Sequence, residues 1–354
     1  MSARRRFVHV FATFGPGGPQ VRAAQLIRHL GPDVEHVIQA VDGVTDAAAL
    51  LDPDARVTIA PPPPRRGFFR TRRAEAAWLR EQQPDLVLTY NWGAIAGLAA
   101  AKQLGLPLIH HEDGFGPDEV HKRLPRRNWT RRWLLRDVSV VVPSQGLREI
   151  ARAEWGVDAE HLVNGVDLER FAPVGAEPDE LVIGSVGGLR PEKDYATLLQ
   201  AVARMQHPAQ VRLVGSGALE VDLRAEAARL GLADRVTFVG FASDTSVHYR
   251  DFTVFAMSSQ TEQMPIALVE AMACGLPVVA TDVGDVRVVV SEPNRPLVAP
   301  PGDPLALARA LDQLAADPAL RRQLGEANRS QAAESYEART CLQRFCAAYE
   351  RASR

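Results

Sequence analysis

Short apolar runs alternate with amphipathic stretches along most of the first half of the chain. Strand-like runs occur at 7–14, 36–41, 56–60, 85–90, 106–111 and 138–144, and helical spacing of apolar residues occurs at 21–30, 74–83, 94–105 and 129–137. Strands that alternate with helices form parallel sheets covered on both faces. This half therefore predicts a Rossmann-like α/β domain over residues 1–165, which binds its ligands at the carboxyl ends of the strands.

The alternation stops over residues 166–180, where Gly, Pro and acidic residues dominate, and this composition predicts a linker. It then restarts, with strand-like runs at 181–187, 210–217, 235–241, 252–259 and 277–282 and helical patterns at 196–205, 219–231 and 266–275. A second Rossmann-like domain is therefore expected over residues 181–334. Two similar domains joined by a linker predict a cleft between them, and the tail from Pro304 predicts two helices.

Composition narrows the class of protein. Of the 354 residues, 46% are hydrophobic and 24% charged, and the net charge of −2 argues against a general nucleic-acid binder. The three cysteines, at 274, 341 and 346, have neither metal-site spacing nor a disulfide framework, as is typical of a reducing cytoplasm. No apolar run approaches the ~20 residues that span a bilayer, and we interpret the basic start, MSARRRFVHVFATFG, as a buried strand rather than a signal peptide.

Residues 258–285 carry the strongest candidate chemistry. Glu262 and Glu270 are eight positions apart, the first in a polar loop and the second inside a short predicted helix. Pro265 suits the first helical position, and Gly275 suits the left-handed residue after the last turn. Such a helix start attracts anions, whereas a carboxylate within the helix accepts hydrogen bonds from a neutral diol such as ribose. The segment predicts a site for a sugar–diphosphate–nucleoside.

Glycine-rich and basic turns follow several predicted strands. Gly15, Gly17 and Gly18 precede the first helix, where they favour either a close backbone approach to a ligand or a plain tight turn. In the turn 186–194, Arg190 and Lys193 are placed to neutralise a diphosphate, the alternative being a solvated surface pair.

Two further strand ends in the second half are candidates for nucleotide contact. Gly215 lies in the glycine turn of 214–220, which either faces the nucleotide or merely turns the chain. Val239 and Gly240 end a predicted strand, where their backbone groups either read a base edge or simply terminate the strand.

The segment IHHEDGFGPDE, residues 109–119, concentrates titratable side chains after a strand of the first domain: His110, His111, Glu112, Asp113, Asp118 and Glu119. Adjacent histidines on a strand end point in opposite directions, which disfavours a shared metal ion. The segment therefore predicts a general-base or sugar-contacting loop, or a structural polar loop.

Two basic stretches of the first domain mix arginines with aromatic residues. Residues 65–73 hold five arginines and two phenylalanines, and residues 121–136 hold seven Lys or Arg, two tryptophans and no acid. A solvated face is one interpretation. An anionic membrane surface, or an anionic lipid-linked acceptor, is the other, and it would place a cytoplasmic protein on the inner face of the cytoplasmic membrane.

Taken together these segments resemble the retaining glycosyltransferases of the GT-B fold, in particular the large family 4 type. The resemblance spans nearly the whole chain and is strongest in SSQTEQMPIALVEAMACGLPVVATDVG, which is similar to the E-x7-E signature of that family. The linker segment NGVDLERF and the loop GGLRPEKD also match. The resemblance implies two Rossmann-like doubly wound parallel-sheet domains facing across a cleft, with the final helix, about 335–354, packing back on the first domain.

The resemblance also implies residue roles. Glu270 would hold the ribose hydroxyls, Glu262 the hydroxyls of the donor sugar, and Lys193 the departing diphosphate. Further donor contacts are expected from Arg190 and from backbone groups at Gly17, Gly18, Gly215, Val239, Gly240, Gln263, Met264, Pro265 and Ile266. One of His110, His111 and Asp113 would face the reacting centre. No metal or other cofactor is implied, because Lys193 and the helix start supply the positive charge.

Three positions depart from the family pattern. Gly188 stands where the family usually has an arginine, with Arg190 two residues further on, and Gln263 replaces the glycine that often follows the first glutamate. Asp113 precedes Gly114 where a histidine is usual.

The leading hypothesis is thus sugar transfer from a nucleotide sugar to an acceptor hydroxyl, such as a growing polysaccharide or glycolipid, and both UDP- and GDP-sugars fit it. A nucleotide-sugar epimerase on the same fold is the alternative, and an inactive nucleotide-sugar-binding protein is a second. A nicotinamide dehydrogenase is a weaker hypothesis than these, because neither glycine loop has the dinucleotide-binding fingerprint.

Overall fold

The computed structural model describes residues 4–64, 67–115, 119, 123–173 and 180–354. The chain divides into two compact units, which we call the first and second domains. The first comprises residues 1–164 and 339–354, and the second comprises residues 165–338. Residues 174–179 of the predicted linker lie outside the described residues.

The first domain contains a seven-stranded, wholly parallel sheet of order β3-β2-β1-β4-β5-β6-β7. Its strands are β1 Arg5–Phe11, β2 Val34–Ala40, β3 Val57–Ala60, β4 Leu86–Tyr90, β5 Leu108–His111, β6 Ser139–Val142 and β7 Glu160–His161. The helices that connect them are α1 Gly18–Leu30, α2 Phe68–Gln82, α3 Ile95–Leu104, α4 Pro125–Leu134 and α5 Gln145–Ile150, the last continued by a π-helical turn, Ala151–Trp155.

Two apolar cores cover the two faces of this sheet. One contains apolar residues of α2, α3 and α4 with Trp155, and the other contains residues of α1 together with Phe345 and Tyr349. Phe345 and Tyr349 belong to the last helix of the chain, α13 Ala338–Ala352. The final helix therefore packs onto the first domain because its apolar stripe completes one of that domain's two cores.

The second domain repeats the architecture with six parallel strands in the order β10-β9-β8-β11-β12-β13. The strands are β8 Val182–Val186, β9 Gln210–Val214, β10 Val236–Gly240, β11 Val254–Met257, β12 Val278–Thr281 and β13 Val298–Ala299. The helices are α6 Tyr195–Val202, α7 Glu220–Arg229, α8 Ser246–Tyr249, α9 Ile266–Ala273, α10 Val286–Val289, α11 Pro304–Ala316 and α12 Pro318–Ser335. Two parallel-sheet α/β domains, as the sequence predicts, are thus confirmed.

Local differences from the predicted elements have identifiable causes. The tail forms three helices rather than two, because Asp317 caps α12 by accepting a hydrogen bond from Leu320 N–H and the chain breaks again before α13. Pro265 precedes α9 as its N-cap with an extended backbone (ψ 114°) instead of occupying the first helical position. Gly275 has a φ of +74° just past the end of α9, which is the left-handed residue that the sequence predicts.

Within the parts of the chain that the structure describes, no helix combines the length and the apolar character that crossing a bilayer requires.

Candidate functional site

The carboxyl edge of the second domain's sheet brings together two loops that are far apart in sequence. Strand β8 lies between β9 and β11. From β8 the chain continues to β9 on one side, and the later strand β11 pairs with the opposite side of β8. The strand order therefore reverses between β8 and β11. Open α/β sheets bind ligands at such a reversal. The loop after β8 carries Lys193 and the loop after β11 carries Glu262.

Lys193 and Glu262 form an ion pair at this point. The lysine Nζ donates to the glutamate Oε1 at 2.5 Å, and the hydroxyl of Ser259 donates to the same oxygen at 2.8 Å. Both side chains keep some contact with solvent, with 23% and 13% of their surfaces exposed. An ammonium and a carboxylate are therefore held side by side at a position that a solute can reach.

Four hydrogen bonds tie the two loops together around this pair. The backbone N–H of Gln260 donates to the carbonyl of Glu192 at 2.8 Å, and its side-chain amide donates to the carboxylate of Asp194. The hydroxyl of Ser258 bonds the carbonyls of Lys193, at 3.0 Å, and Asp194, at 2.8 Å. The separation of Lys193 and Glu262 is thus set by the backbones of both loops as well as by the pair itself.

Asp194 holds an uncommon backbone conformation at the end of the first loop. Its φ of +46° is left-handed, which aspartate tolerates better than most residues. Asp194 caps α6, because its carboxylate accepts hydrogen bonds from the N–H and the hydroxyl of Thr197. The same carboxylate also accepts a hydrogen bond from the side chain of Gln260. The side chain thereby fixes the turn that projects Lys193.

Strand β12 and the turn that follows it hold the second loop by hydrogen bonds to its backbone. Thr281 donates its hydroxyl to the carbonyl of Ser259 at 2.6 Å, and the N–H of Asp285 donates to the carbonyl of Gln263 at 3.0 Å. Gly284 has a φ of +54°, and a Cβ there would lie 2.2 Å from the carbonyl oxygen of Glu262. Only glycine fits this close approach, so the backbone at Glu262 rests directly on residue 284.

The helix α9 begins four residues after Glu262. Met264 and Pro265 are buried and Ile266 is the first helical residue. The N–H groups of a helix's first turn have no partners within the helix, and the helix dipole adds positive potential there. A second source of positive potential therefore lies close along the chain to the Lys193–Glu262 pair.

Glu270 lies one turn further along α9 and is partly exposed. The hydroxyl of Tyr249 donates to its Oε2 at 2.7 Å and is also within 3.1 Å of the carbonyl of Ala267. Desolvation by burial raises the pKa of Glu270 to about 7, against the lowering effect of that hydrogen bond. A carboxyl group poised between its two protonation states near neutrality can accept or donate hydrogen bonds to a hydroxylated ligand.

Arg190 lies beside the glycine that departs from the family pattern. Its exposed side chain is 3.6 Å from Glu192, and its Nε would be 2.7 Å from a Cβ built on Gly188. The guanidinium therefore occupies the space that a side chain at position 188 would take. The family usually has an arginine at position 188. In this chain the side chain of Arg190, two residues further on, lies next to that position.

Gly215, Val239 and Gly240, the three candidates for nucleotide contact, lie at the ends of the neighbouring strands β9 and β10. Gly215 has a φ of +137°, and its N–H donates to the carbonyl of Gly240 at 2.8 Å. A Cβ on Gly215 would lie 2.0 Å from the carbonyl oxygen of Gly187, so the loops after β8 and β9 pack backbone against backbone. Val239 is half-buried, and the next residue after the strand, Phe241, exposes 63% of its surface.

In the first domain, Asp113 is held by a buried ion pair. Both of its carboxylate oxygens accept from the guanidinium of Arg22, at 2.5 and 2.9 Å, and its N–H donates to the side chain of Asn91. The side chains of Arg22 and Asp113 are only 3% and 8% exposed. The pair fixes the backbone after β5 to helix α1, and Arg22 also donates to Asn164.

His110 and His111 are fully buried and contact different partners, as adjacent strand residues should. His110 bonds the hydroxyl of Thr89 at 2.8 Å, whereas His111 bonds Tyr349 of α13 at 3.1 Å and stacks on Tyr90. Desolvation by burial holds the pKa of His111 well below its usual value, so its imidazole is neutral. Their role at a reacting centre stays a prediction.

The remaining acids of that cluster serve a buried arginine. Arg131 is fully buried and donates to Glu112 at 3.0 Å and to Glu119 at 3.3 Å, while its guanidinium packs over the rings of Trp92 and Trp155. Asp118 lies outside the described residues. Among the residues that the structure describes, no three His, Cys, Asp or Glu side chains converge as metal ligands would.

Gly17 and Gly18 lie where β1 leads into α1. Gly17 is the extended N-cap of that helix and Gly18 is its first residue. The side chain of Gln20 folds back here to donate to the carbonyl of Thr13 at 2.8 Å. That Gly17 and Gly18 contact the nucleotide sugar remains a prediction.

Sequence reasoning missed several residues of these sites: Arg22, Tyr249, Ser258, Ser259, Gln260 and Thr281. Each acts through a partner many positions away along the chain, with the exception of Ser259, whose spacing of three from Glu262 is a local signal.

The fold and this site define the class of protein. Two parallel-sheet domains, with the first glutamate of an E-x7-E segment paired to a lysine at the strand reversal of the second, are the features of a GT-B glycosyltransferase. Residues 167–331 match the family described as "Glycosyl transferases group 1", and residues 8–170 match "Glycosyltransferase Family 4". The chain belongs to the family 4 type of GT-B glycosyltransferases.

Individual relatives agree with this membership. The chain is 27% identical to a D-inositol 3-phosphate glycosyltransferase of Streptomyces bingchenggensis, over 90% of this chain and 81% of the relative. It is 29% identical to the 2-deoxystreptamine glucosyltransferase of Streptomyces kanamyceticus, over 69% of this chain and 72% of the relative. A solved structure of Anabaena HepE with UDP and glucose matches 98% of this chain and the whole of HepE, with a TM-score of 0.85 at 19% identity, and that likeness shows the fold.

Proposed function

We propose that the protein transfers a hexose from a nucleoside-diphosphate sugar to an acceptor hydroxyl with retention of the anomeric configuration. The observation that carries the proposal is the pairing of Lys193 with Glu262 at the strand reversal of the second domain. HepE, which shares the fold, is described in complex with UDP and glucose.

The proposed reaction needs positive charge where the diphosphate departs. As the bond between the sugar and the diphosphate breaks, negative charge grows on the phosphate oxygens and the sugar becomes oxocarbenium-like. The ammonium of Lys193 and the N-terminal amides of α9 are fixed sources of positive potential for that charge. Arg190, folded beside Gly188 on the same loop, is a further cation for the diphosphate. We assign the reaction no divalent cation.

The two glutamates have separate roles in this proposal. Glu262 accepts hydrogen bonds from hydroxyls of the donor sugar, while its neighbour Lys193 meets the phosphate. Glu270 accepts from the two ribose hydroxyls, and Tyr249 orients it by donating to Oε2. Backbone groups of Gly215, Val239 and Gly240, and the exposed ring of Phe241, are at the adjacent strand ends for contact with the nucleoside.

The acceptor belongs to the first domain in this proposal. We propose a hydroxyl of a growing polysaccharide or glycolipid, met by the loops around Gly17 and Asp113. We assign His110 and His111 no direct contact with substrate, because both rings are fully buried and each bonds a neighbouring hydroxyl through one ring nitrogen.

The test begins with a thermal-shift screen of UDP-, GDP-, ADP- and TDP-sugars, since a ligand that binds only the folded state raises the melting temperature. The stabilising donor is then incubated with soluble acceptors, including D-inositol 3-phosphate and 2-deoxystreptamine, and with lipid extracts, with and without EDTA. We expect a new glycoside whose anomeric proton coupling matches that of the donor, in undiminished yield with EDTA. An epimerised donor without acceptor, an inverted product, or no turnover of any stabilising donor would contradict the proposal.

A further inference from the structure

Helix α4 of the first domain divides its basic and aromatic residues between two faces. Arg131 and Leu134 are buried, and Arg127 is largely buried against Glu119. The other face exposes Arg126, Trp129, Arg132 and Trp133, with tryptophan exposures of 68% and 60%. The structure thus separates arginines that stabilise the interior from arginines that face outward, a distinction that the sequence of 121–136 does not contain.

The outward face has the chemistry of an interfacial surface. Trp129 and Trp133 are four residues apart and therefore project side by side from the helix. Arg126 and Arg132 flank them, they form no ion pair within the described part of the chain, and the helix contains no acidic residue. Tryptophan rings prefer the level of lipid headgroups, and arginines beside them attract anionic lipid.

A second patch of the same kind lies in the same layer of helices. Phe69, which exposes 75% of its surface, and the exposed Arg70 and Arg73 occupy the start of α2. Helices α2, α3 and α4 share one core against one face of the sheet. Because each follows a parallel strand, all three begin at the carboxyl edge of that sheet, where the α2 patch and the first turn of α4 both lie. Residues 65–66 and 120–122 lie outside the described residues.

We propose that the outward face of α4, assisted by the start of α2, docks the protein on an anionic lipid bilayer. Charge complementarity selects this partner, since a cationic and aromatic face matches a negatively charged headgroup layer. The chain's net charge of −2 confines that attraction to the face rather than to the whole molecule. Docking is independent of the identity of the donor, because the residues of this surface belong to the first domain and the proposed donor residues belong to the second.

Vesicle co-sedimentation tests this docking surface with the full chain. We expect binding to phosphatidylglycerol–phosphatidylcholine vesicles, weak binding to phosphatidylcholine alone, and release at high salt. The double variant Trp129→Ser with Trp133→Ser, and the double variant Arg126→Gln with Arg132→Gln, should each bind about 10- to 30-fold more weakly, the arginine pair also losing the preference for anionic lipid.

Matched controls use equally exposed residues elsewhere. Val221→Ser and Arg309→Gln, both on exposed positions of the second domain, should leave vesicle binding unchanged. Sugar transfer to a soluble acceptor should be unchanged in all these variants, so a failure of docking is distinguishable from a failure of the proposed activity. Indifference of the wild-type protein to lipid charge, unaltered binding by both double variants, or burial of the tryptophans in a self-associated dimer detected by light scattering would overturn the proposal.

Discussion

The two domains share a topology but place their charged residues differently. In the first domain the two ion pairs that follow the carboxyl end of β5 are buried: Arg131 with Glu112, and Arg22 with Asp113. In the second domain the corresponding pair, Lys193 with Glu262, remains partly exposed in loops above an apolar core. The same fold therefore uses ion pairs to fix its loops in one domain and to present charge in the other.

This difference predicts different consequences for similar substitutions. Removing one partner of a buried pair leaves an uncompensated charge in the interior, which destabilises the fold. Removing one partner of a partly exposed pair leaves the other in contact with water, so stability changes little. Stability measurements and activity measurements should consequently respond to different residues.

The largest expected effect is on stability of the first domain. Arg131→Ala should lower its free energy of unfolding by about 3–5 kcal/mol, because Glu112 and Glu119 lose their buried partner. All five tryptophans of the chain, at 78, 92, 129, 133 and 155, lie in this domain, so tryptophan fluorescence in a urea titration reports on it alone. The neighbouring exposed Arg132→Ala is the matched control and should change stability by less than about 0.5 kcal/mol. Equal losses in the two variants would remove the distinction between the faces of α4.

The next effect is on catalysis by the second domain. Lys193→Ala should lower kcat about 10²–10³-fold, as loss of one preorganised donor to a developing anion does, while the melting temperature stays close to that of the wild type. Arg309→Ala removes an exposed cation elsewhere in the domain and should leave kcat unchanged. Retained turnover in the lysine variant would show that the diphosphate departs without this ammonium.

A smaller effect should separate positioning from direct contact. Gln260→Ala, and more so Gln260→Glu, should lower kcat by about 10-fold with little change in KM, because the two loops lose the bond between Gln260 and Asp194. The double variant Gln260→Glu with Asp194→Asn restores a hydrogen bond between the two positions with its direction reversed, because the amide at position 194 donates to the carboxylate at position 260. Recovery of kcat in the double variant supports positioning, and equal loss in single and double variants argues against it.

Donor binding should also depend on the protonation of Glu270. Its pKa of about 7 means that hydrogen bonds from ribose, which favour the ionised carboxylate, strengthen binding as pH rises through neutrality. Affinity for a nucleotide sugar, measured by calorimetry, should increase up to about 10-fold from about pH 6 to pH 8 in the wild type. Glu270→Gln should flatten that dependence, and an unchanged slope in this variant would assign the titration to another group.

A different kind of effect, on the pH dependence of stability, concerns a neutral histidine of the first domain. Desolvation lowers the pKa of His36 to about 4, below the value of ~6.5 in an unfolded chain. Its contribution to stability is therefore full above ~pH 6.5 and is lost as pH falls towards 4, at up to ~1.4 kcal/mol per pH unit. His36→Asn should reduce the slope of stability against pH in this range, and the exposed His29→Asn should not. Tryptophan fluorescence at several pH values measures both slopes.

The sequence contains the local signals of the site but not its long-range partners. Lys193 and Glu262 are identifiable because both follow predicted strands, because GGLRPEKD matches the family loop, and because the extended order E-x7-E-A-M-A-x-G-x-P-V-V-A-T is specific. Gln260 and Asp194 are 66 positions apart, and no local periodicity encodes a hydrogen bond at that distance. Periodicity likewise cannot separate Arg131 from Arg132, since only packing against Trp92 and Trp155 decides which arginine is buried.

Packing also decides what composition leaves open. The basic stretch 121–136 is uniform in sequence, yet α4 turns one set of its arginines towards buried glutamates and the other outward. Gly188 departs from the family pattern in sequence, whereas in space Arg190 fills the adjacent volume. The effect of a deviation from the motif therefore depends on which atoms occupy that position in space. The identity of the single residue does not determine it.

Hydrogen exchange of the backbone with and without a saturating nucleotide sugar tests the central claim most directly. If the donor's diphosphate binds beside the Lys193–Glu262 pair, exchange should slow in the segments 187–194 and 258–270 of the second domain, and Lys193→Ala should reduce that protection. Protection confined to the first domain, or none in those two segments while the donor is bound, would contradict the account.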